Sequence, residues 1–334
     1  MAGPLTQPIV PVRRALKARP SRSDLAFRSI AYAGGWIVLV IMVLVGSFLA
    51  FRAGTALHRR GWAFLTTATW NPDGGAFGIA AVMVGTLLIA CVAIVVALPL
   101  ATGAALYISE YSPGWLRRTL ITVIDLMAAV PSVVYGLWGF FLLQNKVVYL
   151  SRWISNWFGW FPLFKVDGTS HSDPLTTMTS YTSSTFIAGI VVGLMVTPIA
   201  CSIMREAFSQ APAGEREGAF ALGATRWGMV RSVVLPFGRG AMVGGVMLGL
   251  GRALGETIAV VMIISPVYQI QTHILQNGTS SIASLIALNW GEASPFGISA
   301  LMAAGLSLFA LTLLVNFAAS WVVARSRSGA VSEV

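Results

Sequence analysis

A chain of 334 residues with 56% hydrophobic and only 10% charged residues, at a mean hydropathy of +0.77, is excluded from the class of ordinary soluble domains, which carry about 25% charged residues. Its net charge of +10 does not make it a nucleic-acid binder, because the basic residues are sorted by side of a membrane rather than gathered into one patch. Six apolar runs, at 30–51, 78–100, 119–143, 186–204, 241–265 and 298–323, are long enough to span, since about 20 residues at about 1.5 Å rise cross a hydrocarbon core of about 30 Å. The alternating stretches of about 10 residues that mark a membrane β-barrel do not occur, so the expected fold is all-α and polytopic, with six transmembrane helices.

Residues 1–28, rich in Arg and Pro, read as a basic cytoplasmic arm. The apolar run that follows is too long for a signal h-region and lacks a convincing cleavage site, so the first span is expected to be retained. An outer loop at 52–77 holds Arg59-Arg60 and the turn signal Asn71-Pro72-Asp73-Gly74-Gly75. The second span is expected to end near Pro99, followed by a polar link from Tyr107 to Trp115 that contains Glu110. The third carries Asp125 and Pro131-Ser132, where the proline should kink the helix and the serine satisfy a freed carbonyl. Residues 144–185 read as the longest outer loop, with Trp153, Trp157, Trp160 and Phe161 in an interfacial amphipathic stretch and a Ser/Thr-rich, irregular second half. Asn277-Gly278-Thr279 reads as a turn. Cys91 and Cys201 read as small apolar residues of the spans, and Asn316 in the last span as interhelical glue.

With the N-terminus inside, the inner segments hold 15 of the 22 Lys and Arg residues. By the positive-inside rule both termini and residues 205–240 are expected to be cytoplasmic, leaving 29–325 as the transmembrane domain and 326–334 as a cytoplasmic tail. The chain has no means of hydrolysing ATP: a P-loop needs Gly-Lys-Ser/Thr, and the lysines Lys17, Lys146 and Lys165 follow Leu16, Asn145 and Phe164. His58, His171 and His273 are scattered, so neither a metal nor another cofactor is expected.

The fifth span, GAMVGGVMLGLGRALGETIAVVMII from Gly240, has three small-xxx-small pairs: Gly240/Gly244, Gly245/Gly249 and Gly251/Gly255. Arg252 and Glu256 are four apart and would share a helix face. Charge at this depth costs at least about 2.5–3.5 kcal/mol per residue. Two uses fit: an ion pair that locks helix packing, or a translocation path in which Arg252 attracts an anion and Glu256 positions it or forms part of a gate. Asp125 is a third intramembrane charge, a candidate for the path or gate beside Arg252 and Glu256, and otherwise a packing partner for Arg252 or for an arginine of another subunit.

The most informative stretch is EGAFALGATRWGMVRSVVLP, Glu217 to Pro236, amphipathic and set between two spans. An ordinary connection is a handful of residues, whereas this one suggests a helix, a break at Gly223, a second helix capped by Thr225 and a stop at Pro236. It resembles the coupling motif of importer-type ABC permeases, Glu-Ala-Ala, three residues, Gly, nine residues, Ile, one residue, Leu-Pro, with Gly218 for the first Ala, Val233 for the Ile and every spacing kept. Gly218 in place of Ala weakens that turn by about 1 kcal/mol.

With GRALGETIAV and VPSVVYGLWG at 130–139, the chain over most of 78–325 resembles the phosphate-importer permease family, in its PstC-type wording. The resemblance implies an importer-type ABC permease fold in which Glu217, Ala219, Gly223, Leu235 and Pro236 couple to the ATPase. It also implies the partners: a homologous PstA-like permease, two ATP-binding subunits and an external phosphate-binding protein, assembled in the cell membrane. Arg252, an always-charged fork suited to phosphate oxygens, agrees with an anionic cargo. An importer of sulfate or molybdate would share the architecture. A secondary transporter would work from this chain alone and would leave residues 205–240 without a task.

Overall fold

The computed structural model describes residues 21–168 and 178–326. Most of the expected basic arm, the middle of the Ser/Thr-rich stretch (169–177) and the tail beyond 326 lie outside the described residues. The chain divides into two units, Met1–Phe48 and Leu49–Val334. Among the described residues, six helical runs are long and apolar enough to cross a membrane.

The first is α1 (Arg22–Arg60), which already begins within the expected arm. Asp24 in its first turn and His58, Arg59 and Arg60 in its last place charge where the helix dipole favours it. Within the first unit its apolar side chains, among them Trp36, Leu39 and Ile41, are exposed.

In the second unit Gly61 (φ 52°) ends α1. A short helix α2 (Ala63–Thr66) leads to β1 (Trp70–Asn71) and β2 (Ala76–Phe77), an antiparallel pair around the expected turn. Asn71 Oδ1 accepts the Gly74 N–H at 3.0 Å within that turn. The Phe77 ring meets Phe296 edge-on at 5.4 Å, closing a cluster with Phe64, Ile79, Leu285 and Leu301.

The second span corrects an expectation: α3 (Ala80–Leu106) runs straight through Pro99 and continues as a π turn, Tyr107–Tyr111. One missing backbone bond is tolerated in lipid because leaving the helix would strand many more backbone groups. The expected third span, 119–143, is not one helix. α4 (Gly114–Ala129) ends at Val130, extended at ψ 129°, and a new run starts after Pro131 with α5 (Ser132–Trp138), a π turn (Gly139–Leu143) and α6 (Gln144–Phe158). Proline disfavours helical geometry in its predecessor, and here Val130 is extended, so Val130-Pro131 is a break rather than a kink. The spanning run is therefore Ser132–Phe158, and the Trp-rich half of the expected outer loop is its continuation.

Next come α7 (Thr185–Ser209), capped by Ser184, then α8 (Ala213–Ala221) and α9 (Arg226–Met229). A π turn (Val230–Val234) joins α9 to α10 (Leu235–Gly255). The expected fifth span, 241–265, is interrupted at Glu256, beyond which lies only α11 (Ile258–Ile263). Residues 264–281 are irregular, with the expected turn at Gly278 (φ 93°), where the Asn277 N–H donates to the Ser180 carbonyl at 2.8 Å. A helix that no periodicity announced, α12 (Ile282–Asn289), buried over its first four residues, precedes the last span, α13 (Pro295–Ser326).

The packing of α3 on α7 organises the second unit. Ala93, Ala97, Ala101 and Ala105 make a fully buried strip of small side chains at four-residue spacing on α3. Opposite them are Gly189 and Gly193 of α7, where a Cβ would lie 2.5 Å from Val92 and 2.8 Å from the Ala93 carbonyl oxygen. Of the glycine pairs on the fifth span, only Gly245/Gly249 serves such an approach here, to Ala200 and Val196, while Gly244, Gly251 and Gly255 face open space. The helix α12 is hung on α3 by one bond, from the Ile282 N–H to Thr86 Oγ1 at 2.9 Å, and closed by a Ser281/Ser284 capping box. Thr86→Val should strand that buried N–H at about 1–3 kcal/mol, read as a lower thermal midpoint in detergent with the chain still folded.

Candidate functional site

The segment 213–236 is a helix, a reversal and a second helix. Reversal at Gly223 (φ 82°) closes a Schellman motif: the Gly223 N–H bonds the Phe220 carbonyl at 2.9 Å and the Ala224 N–H the Ala219 carbonyl at 3.0 Å. The next helix starts at once, with Thr225 Oγ1 accepting the Gly228 N–H at 3.1 Å. Tight closure leaves the tip bare: Leu222 is 91% exposed, and Phe220, Trp227 and Glu217 are exposed beside it. Ala219 and Leu235 are half-buried, turned back toward the bundle. Pro236, expected as a stop, is no stop. It sits in the first turn of α10, where no N–H is required, and the widened turn before it lets the helix run on from Arg226 to Gly255.

Under this tip lies an ion pair. Arg216 Nη1 is 3.1 Å from Glu110 Oε2, and Arg216 Nη2 donates to the Phe208 carbonyl at 2.6 Å. On the other side Arg117 Nη2 donates to the Ser109 carbonyl at 2.6 Å. The ends of α3 and α7 and the start of α4 are thus gathered beneath α8.

The second feature is a cavity of about 620 Å³ along α10, lined by Ile199, Gly244, Met247, Leu248, Gly251, Arg252 and Asn316. Arg252 is exposed toward it and has no ion-pair or hydrogen-bond partner among the described residues. Asn316, expected as interhelical glue, shares the cavity instead. Near Arg252 the Tyr135 hydroxyl, within its electrostatic reach, donates to the Met127 carbonyl at 3.1 Å and so ties α5 back to α4 across the Pro131 break.

Glu256 does not share a face with Arg252. The backbone leaves the helix there (ψ 124°), and the buried carboxylate accepts the Ala259 N–H at 3.1 Å, holding the start of α11. A carboxylate at a helix start is favoured by the helix dipole. Asp125 is not buried: α4 has no buried residue, and Asp125 is exposed near Cys201 and Arg205 of α7, with no ion pair to Arg252. Cys201 is buried, whereas Cys91 is exposed on the apolar side of α3, lining a cavity of about 480 Å³.

Residues 93–328 match the family described as binding-protein-dependent transport system inner membrane component. The chain belongs to that family. Among curated relatives, the phosphate transport system permease protein PstC 2 of Mycobacterium tuberculosis is 39% identical over 321 residues, 95% of this chain and 96% of the relative. The phosphate transport system permease protein PstC of Xylella fastidiosa is 37% identical over 298 residues, 89% of each. Among solved structures, a chain of a bacterial alginate ABC transporter, crystallised with an alginate pentasaccharide-bound periplasmic protein, superposes with a TM-score of 0.57 at 15% identity, over 89% of this chain and 94% of that one. The chain is thus a multi-pass membrane protein with the fold of an ABC importer permease.

Within this permease the residues singled out in the sequence fall into three places. Glu217, Ala219 and Gly223 share the reversal at the tip, Leu235 and Pro236 lie at the foot of α10, and Arg252 lines the cavity. Glu256 and Asp125 join none of these. Sequence reasoning missed Arg216 and its bond to Glu110. The two are 106 residues apart, and the only hint was an acidic residue stranded in an apolar-flanked link.

Proposed function

We propose that this chain is the permease subunit of an ATP-driven phosphate importer in the cell membrane, forming half of the translocation path beside a homologous PstA-like permease. Two ATP-binding subunits engage Glu217–Pro236 on the cytoplasmic side, and an external phosphate-binding protein delivers the cargo. Hydrolysis takes place in the partner subunits, and both termini are cytoplasmic, as the distribution of Lys and Arg indicates.

The observation that carries the reading is the bare tip at Leu222–Gly223. Its apolar side chains are exposed on a rigid, hydrogen-bonded reversal inside the matched family region, a compact knob for a cleft in another protein. ATP binding draws the ATP-binding subunits together, the knobs follow, and the path opens outward; hydrolysis resets it. The relatives named as phosphate permeases supply the cargo, and the unpaired Arg252 guanidinium suits an oxyanion held weakly enough to be released.

Uptake of labelled phosphate and sulfate by cells lacking this chain tests both parts. Phosphate uptake should vanish and return with the wild-type chain. With Glu217→Lys it should stay about tenfold or more below wild type, the scale of a reversed charge in a docking contact. Lost sulfate uptake with intact phosphate uptake would discard the cargo, and full rescue by Glu217→Lys would discard the coupling role.

A further inference from the structure

Arg216 precedes the first coupling residue by one position, yet its side chain turns inward while that of Glu217 turns out. Its partner Glu110 belongs to the π turn that ends α3. The side chains are 22% and 5% exposed, whereas Asp167, the acid in both other ion pairs among the described residues, is 55% exposed. A buried pair adds little net stability, because desolvation offsets the attraction. A neutral contact would hold α8 in place as well. The pair is also incompletely made: Glu110 Oε1 and Arg216 Nε are both buried and neither has a hydrogen-bond partner in this conformation. A guanidinium and a carboxylate can join through two parallel bonds, so a second arrangement is built into the same two residues. The third contact, from Arg216 to the Phe208 carbonyl, ties the same guanidinium to the end of α7. The elements it touches, α3 and α7, are the pair packed through alanine and glycine, too tightly to absorb a displacement by deforming.

We propose that Arg216 and Glu110 are positioning residues that form a strut, passing displacement of the coupling segment to the α3–α7 core. The strut is singly bonded in this conformation and doubly bonded in the other conformation of the transport cycle. This rests on the coupling reading of Glu217–Pro236. It adds that the motion enters the membrane through α3 and α7, not only along the continuous helix from Arg226 to Gly255.

The test measures phosphate uptake and ATP hydrolysis together in proteoliposomes holding the whole importer. Glu110→Gln and Arg216→Gln should leave the ATP-binding subunits attached and hydrolysing, while phosphate moved per ATP falls about tenfold or more, within the usual range of coupling between linked sites. The exchanged pair Glu110→Arg with Arg216→Glu should recover only part of the lost ratio, because a carboxylate at position 216 restores the ion pair but cannot donate to the Phe208 carbonyl. Unchanged phosphate per ATP in both single variants would overturn the proposal. Should the single variants fail to assemble, Arg216→Lys decides. It keeps the charge and loses the fork, so a lowered ratio in an assembled complex supports the strut and a wild-type ratio overturns it. Failure of the coupling reading looks different, because Glu217→Lys would then leave assembly and uptake intact.

Discussion

Arg252→Ala is expected to lower phosphate uptake roughly ten- to a hundredfold while the permease still reaches the membrane and assembles. The side chain is exposed to a cavity and bonded to nothing among the described residues, so its removal leaves no hydrogen-bond partner stranded and no packed void. What is lost is a fixed positive charge at membrane depth, maintained against an insertion cost of about 2.5–3.5 kcal/mol. If it meets the anion in the path, the loss is that of a charge-assisted hydrogen bond, about 1.5–3 kcal/mol, or roughly ten- to a hundredfold in rate. Arg252→Lys should fall between, keeping the charge without the fork. Labelled-phosphate uptake, normalised to the amount of complex recovered from membranes, reads this directly. Loss of the complex itself would return Arg252 to a packing role. Glu256 should behave the other way, because its carboxylate is committed to the Ala259 N–H: Glu256→Ala lowers the yield of assembled permease before it lowers turnover.

Gly193→Leu should prevent assembly outright. At this position a single added carbon would sit 2.8 Å from the Ala93 carbonyl oxygen and 3.1 Å from Val96 Cβ, the first of them backbone that cannot rotate away. Overpacking of this kind costs about 1–3 kcal/mol even where neighbours can shift, and here the whole of α3 would have to withdraw from α7. The expected result is loss of the chain from membranes and, for any that remains, a thermal midpoint lowered in detergent. Gly103→Leu on the exposed side of α3, where nothing lies within 4 Å, is the control and should be recovered at wild-type levels. Equal recovery of both variants would show that the close approach of α3 and α7 is dispensable.

Chemistry carried by neighbouring residues was legible before any coordinates. The reversal at Gly223, the cap at Thr225 and the turn at 71–75 each depend on residues within a few positions of one another. Six apolar runs, likewise, announced six helices long and apolar enough to cross among the described residues, although the third proved to be Ser132–Phe158 and the fifth stops at Gly255. Interruptions were harder, because proline carries opposite meanings in different surroundings. Pro99 and Pro198 lie inside helices packed against each other along their length, while Pro131 ends α4, which has no fully buried residue and packs only a half-buried face holding Leu120, Ile121 and Ile124. Glu256 and Arg252 looked like a helical pair because spacing alone cannot reveal that the helix stops between them. Helix α12 carried only its Ser281/Ser284 cap as a local sign, and the Arg216–Glu110 contact had none; each is held by a residue about a hundred or more positions away.

The bare tip has a consequence for the life of the chain in the cell. On the proposed coupling role and orientation, a permease made without its ATP-binding partners would carry Leu222, Phe220 and Trp227 uncovered on the cytoplasmic side, an exposed apolar patch of the kind that promotes aggregation. Balanced synthesis of the subunits is then a requirement of solubility as much as of transport, and an orphaned copy is exposed to aggregation by the same side chains that would dock it.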